Sequence, residues 1–264
     1  MTARRLAWFL LSSILCVSWT WAHAVSAPRI VHVFVALADN QHQGIVKVAA
    51  KLGNGDDPQH NLYWGSAYGM KTYFARSAEW KLVRTEKGPR PGVLERCMFK
   101  HRDEDVWLIA DAYQGSQIKK ATTEFLEAAA GVNPTRIEFQ NNSERIKLDA
   151  GGAASLVVYI GHDGLMDFQL ASLPKSGHGA ANQVIILACA SKQYFGTALR
   201  ASGAYPLLWT TNLMAPEAYT LKSALDGWIA KESHGEIRER AAAAYSRYQR
   251  CGVAAAKRLL VTGW

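Results

Sequence analysis

Beyond residues 6–17 the sequence has no apolar run approaching the ~18 residues that span a bilayer, so no later transmembrane helix is expected. No Gly-x-Ser-x-Gly elbow occurs, which argues against a serine hydrolase of the α/β type. No two histidines lie four apart around a glutamate, so the helical signature of zinc peptidases is missing. Lys and Arg nowhere form a stripe interleaved with aromatics. The formal charge of +8 therefore reads as a solvated surface, and no nucleic-acid partner is expected. Internal repeats and long low-complexity tracts are absent too. Cysteine is scarce, at Cys16, Cys97, Cys189 and Cys251.

What is present begins with a targeting pattern. Arg4 and Arg5 precede the apolar stretch 6–17, and Ala22-His23-Ala24 supplies a small-x-small cleavage signal. That is the three-part organisation of a secretory signal peptide, cleaved after Ala24. The expected product is a single exported domain, residues 25–264, periplasmic or secreted, with no stable membrane span. Removing Arg4 and Arg5 lowers the net charge to +6. Three cysteines then remain, an odd number for an oxidising compartment. Three internal pairings are open, and Cys97 with Cys251 is the one that leaves Cys189 free.

The rest of the chain alternates strand and helix patterns. Residues 29–37 read as a buried strand, followed by the turn cluster 53–58. Residues 61–74 carry apolar and aromatic side chains at helical spacing, with Asn61 as the expected N-cap. Residues 80–83 and 97–101 read as edge strands around a Gly/Pro turn at 88–92. Residues 106–113 read as a second long strand and 116–131 as an amphipathic helix closed by Gly131. The runs 155–161 and 183–188 are short, rich in Val and Ile, and lack alternation, the pattern of parallel strands buried on both faces. A helix over 192–201 behind an N-cap at Ser191, a strand over 205–211, and helices over 216–231 and 237–260 (broken at Gly252) complete the series. The expected fold is α/β, three layers, with a mostly parallel sheet flanked by helices.

The two short apolar runs end at reactive groups, His162 and Cys189. In parallel sheets functional groups collect beyond the carboxyl ends of neighbouring strands, so these two can meet as base and nucleophile. A thiol between a strand end and a helix N-terminus also feels the positive end of the helix dipole. The bland alternative is a packed core cysteine and a satisfied histidine.

The blocks VVYIGHDG and VIILACAS resemble the caspase-like cysteine peptidases, the clan of legumain, gingipains, metacaspases and the GPI transamidase subunit. The stretch LLWTTNLMAPEAYTLKSAL (207–225) looks like the following strand and pocket loop of the legumain branch. VHVFVALADN leading into NLYWGSAYGM is similar to that branch's first strand and helix. The resemblance covers most of residues 29–225, in strand pattern rather than identity. It implies a caspase-like domain, a thiol-dependent peptidase or transpeptidase acting on a peptide or protein without a cofactor, His162 as base and Cys189 as nucleophile. It also implies an oxyanion site at the amides of Asp163 and Gly164, and a substrate pocket from Asp39, Asn40, Trp209, Thr210 and Asn212. A carboxylate at Asp39 would suit a basic substrate side chain, turn chemistry being its competing role. Two positions depart from the family: Asp163 is inserted where His is usually followed by Gly, and Leu187 stands where many relatives carry an acid or amide. Both departures are compatible with a catalytically inactive relative.

Two other functions compete. A metal-dependent hydrolase would draw ligands from His32, His42, His60, His162, Asp39, Asp56, Asp57 and Asp163, none of them at a recognised spacing. A non-catalytic binding module would use Tyr63, Trp64, Tyr68 and Tyr73 as a recognition surface. The bland role of those aromatics is core packing.

Overall fold

The computed structural model describes residues 27–176 and 182–264. The expected signal peptide, and part of the loop before residue 183, lie outside them. Strand β1 (Arg29–Ala36) is buried along almost its whole length and occupies the middle of an eight-stranded sheet. It pairs in parallel with β4 (Val106–Tyr113) on one side and β7 (Leu156–Ile160) on the other. β8 (Gln183–Leu187) and β9 (Tyr205–Thr210) continue the parallel set beyond β7. The margins are antiparallel: β3 (Val93–His101) and β2 (Trp80–Arg90) beside β4, and the short β10 (Leu260–Val261) beside β9.

Because successive side chains of a strand point to opposite faces, β1 feeds two cores. Val31, Val33, Val35 and Leu37 enter one, packed with α4 (Ala218–Ile229) and α5 (His234–Gln249) and with α1 (Met70–Ala75) and α6 (Val253–Leu259). Ile30, Phe34 and Ala36 enter the other, beneath α2 (Ile118–Ala129) and α3 (Ser191–Ser202). The three-layer α/β expectation therefore holds. Among the described residues no helix is long and apolar enough to cross a membrane.

Several local expectations change. The helix expected over 61–74 is only α1; residues 61–69 fold back on themselves. Gly65 and Gly69 permit this, since a Cβ at either would lie 2.0–2.4 Å from backbone atoms of Gln59 or Trp64. Asn61 is no helix cap. Buried, its amide clamps the end of β1 through Ala38 N–H and C=O, at 3.0 and 2.8 Å. The edge strands grow into one long hairpin turning at Pro91-Gly92, with bulges at 82/84 and 87/90. A second hairpin, β5 (Pro134–Asn141) and β6 (Glu144–Gly151), has no counterpart in the sequence reading. Its inward residues Ile137, Phe139 and Leu148 alternate with charged ones. Ser191 is the first residue of α3, and the N-cap is Ala190. Cys97, Cys189 and Cys251 are all free. The Cys97–Cys251 bridge does not form, because Cys97 is buried inside β3 and Cys251 is exposed between α5 and α6.

Candidate active site

Along the parallel strands the order is β4-β1-β7-β8-β9, so the chain reverses its winding direction between β1 and β7. Such a reversal opens a crevice at the strands' carboxyl ends. The crevice is a cavity of about 350 Å³, and both His162 and Cys189 line it, with Gly161, Tyr63, Met214 and Glu217 among their neighbours. Two residues from separate strand ends thus share one solvent-connected space.

His162 follows β7 directly. Its carbonyl accepts a 2.8 Å bond from the Tyr159 hydroxyl, and its ring Nε2 lies 2.7 Å from Asp167 Oδ2. With Nε2–H donating to that carboxylate, Nδ1 is the nitrogen left with a lone pair. The same Asp167 oxygen accepts from Gly44 N–H at 2.9 Å, tying the histidine to the 40–48 loop that forms another wall. Asp167 was not singled out in the sequence. Its only signal there is an acid five residues beyond the histidine.

Cys189 sits in a sharp strand-to-helix turn. Ala190 adopts φ +45°, ψ +33°, a left-handed conformation that costs a non-glycine residue roughly 1 kcal/mol. The turn is held from β9. Ala190 N–H donates to Asn212 C=O at 2.9 Å, Ser191 N–H donates to Thr210 Oγ1 at 3.1 Å, and the Thr210 hydroxyl donates to Ala188 C=O. Met214 N–H points at the sulfur from 3.4 Å. Burial raises the Cys189 pKa above its ordinary value; the Met214 amide opposes this and the Asp163 charge adds to it. The resting group is a thiol.

Of the remaining residues expected at the site, none lines the cavity. Thr210 and Asn212 brace the cysteine turn. Trp209 faces the opposite core, its indole N–H on Gly263 C=O at 3.0 Å. Asp39 accepts from Gln41 and His42 N–H (2.8 and 3.2 Å) and pairs with the His42 ring, which is turn chemistry. Asn40 grips Val48 N–H and C=O, at 3.0 and 2.9 Å, shaping the wall from behind. Gly164 packs against Phe168 and Ile118. Asp163 is buried; Oδ1 caps Leu165 N–H at 3.0 Å, while Oδ2 has no partner. Burial, assisted by the Asp167 charge, pushes its pKa up to about 7.

The candidate metal ligands pair locally: His42 with Asp39, His60 with Asp57, and His32 with Asp111. No group of three His, Cys, Asp or Glu side chains fit to hold an ion occurs among the described residues. Comparison of the chain with family models, curated proteins and solved structures finds no match.

Proposed function

We propose that this chain is an exported thiol-dependent acyl-transfer enzyme, a peptidase or transpeptidase of caspase-like type, using Cys189 and His162. The observation that carries the reading is their convergence on one cavity at the winding reversal of a parallel sheet. Export rests on the sequence pattern of residues 1–24.

Because the resting group is a thiol rather than a thiolate, the histidine acts as a general base during attack. Nδ1 of His162 takes the Sγ proton as sulfur bonds to the substrate carbonyl carbon, and Asp167 holds the imidazolium that forms. Negative charge on the carbonyl oxygen develops beside the N-terminus of α3, where the helix dipole favours it. Collapse breaks the C–N bond, the imidazolium protonates the departing amine, and a thioester remains. Water or a second amine then attacks the thioester, giving back its proton through the same ring.

A second reading, a binding module with a silent site, draws on the upward shift of Cys189 and on the acid at Asp163. Cys189→Ala separates the two. The enzyme reading expects turnover of a peptide library to fall below detection with the circular-dichroism spectrum unchanged. Full turnover in that variant would eliminate it.

A further inference from the structure

The described residues expose seven large hydrophobic side chains, and three of them ring this cavity: Val46 (86% exposed), Leu213 (64%) and Met166 (40%). They come from three separate segments, so their gathering at one mouth is a property of the fold. Singly exposed apolar residues need no explanation, but a cluster around a concave site marks a surface that something apolar covers. Inside the same cavity stands one carboxyl group, Glu217. Its Oε2 accepts from the Tyr219 hydroxyl at 2.9 Å and from Gln249 Nε2 at 3.2 Å, which fixes the side chain. Oε1 has no partner among the described residues. No lysine or arginine accompanies it in the lining, and His162, the lining side chain able to carry positive charge, is already paired with Asp167.

We infer that the cavity takes a lysine or arginine side chain of an extended polypeptide against Glu217, with apolar residues on either side of it covering Val46, Met166 and Leu213. The inference rests on the acyl-transfer reading in that the same polypeptide would present its carbonyl to Cys189. Charge complementarity selects the cation: an ammonium or guanidinium at Glu217 makes a charge-assisted bond out of bulk water, where such bonds are strongest. Burial holds the Glu217 pKa up when the cavity is empty. An entering cation favours the ionised form, so binding and ionisation reinforce each other. The stem of a lysine or arginine also suits the apolar wall made by Leu62 and Met214.

The test measures binding in the Cys189→Ala protein, so that it does not depend on turnover. The probes are acetylated, fluorescently labelled peptides Ala-Leu-X-Leu-Ala, with X lysine, norleucine or glutamate. Lysine should bind about ten-fold or more tightly than norleucine, and glutamate weakest. In a Cys189→Ala, Glu217→Gln protein the lysine-to-norleucine ratio should collapse to about one. Replacing the two peptide leucines by serine should weaken all three peptides. Equal binding of lysine and norleucine would overturn the inference, and the first comparison needs no change at Glu217. A lysine preference that survives Glu217→Gln would overturn it as well. So would sedimentation of the protein with phosphatidylcholine vesicles that the lysine peptide does not compete away. Lysine-selective binding without turnover in the unmodified protein would sink the enzyme reading alone; Cys189-dependent turnover blind to X would sink only this one.

Discussion

Asp163 follows the histidine outside the cavity lining, and its charge adds to the upward shift that burial imposes on Cys189. Its carboxyl is buried with one oxygen unpaired, and its folded pKa of about 7 stands well above the ordinary 3.8. The native state therefore keeps a proton that the unfolded chain releases, and stability falls as pH rises from about 4 through 7. The displacement corresponds to roughly 4 kcal/mol as an upper limit, since an asparagine would bring its own unpaired N–H groups. Asp163→Asn should thus gain stability in urea titrations above pH 7 and little at pH 4. Removing the charge should also lower the midpoint of the pH profile for Cys189 alkylation by iodoacetamide. An unchanged midpoint would show that the carboxyl does not act on the sulfur. The histidine and the cysteine were legible in the sequence because each follows a short apolar strand. Asp167 and Glu217 were not, because a lone acid in a loop looks the same whether it orients a base or meets only water.

At the scale of elements, the parallel core was readable because β1, β4, β7 and β8 are dense in apolar residues, with His32 and Asp111, the polar residues inside β1 and β4, bonded to each other. The β5–β6 hairpin was not, since its alternating charged residues give only a half-buried pattern, and the contacts that anchor it, such as Phe139 on Trp107 and Gly151 N–H on His32 Nδ1, join residues far apart in sequence. The helix expected over 61–74 failed for a related reason. Aromatics at helical spacing also suit a compact coil when two glycines let the backbone cross itself. The junction of β1 and β7 is equally tight. Gly161 has φ +149°, and a Cβ there would sit 2.8 Å from Ala36 O and 3.0 Å from Ala36 Cβ. Gly161→Ala should cost about 1–3 kcal/mol and slow Cys189-dependent turnover, because the strain falls one residue before the base. Stability and rate measured on the same preparation check both effects. An alanine variant as stable as the parent would mean the close approach is not there.

In the whole molecule, two cores on either face of one sheet carry the fold without covalent staples. With Cys97, Cys189 and Cys251 all free, the denaturation midpoint should be the same with and without reductant. Cys189 and Cys251 should both alkylate in the folded protein, and buried Cys97 only on unfolding. A reductant-sensitive midpoint would reveal a bridge that the fold does not contain.

The account stands on one cooperation, between His162 and Cys189. It is read most directly by the rate at which a peptide thioester or activated ester acylates each cysteine, followed by peptide mass mapping. Cys189 should acylate at least about 10²-fold faster than the more exposed Cys251, and His162→Ala should erase most of that advantage. Equal rates at the two cysteines, or a Cys189 rate indifferent to the loss of His162, would contradict it.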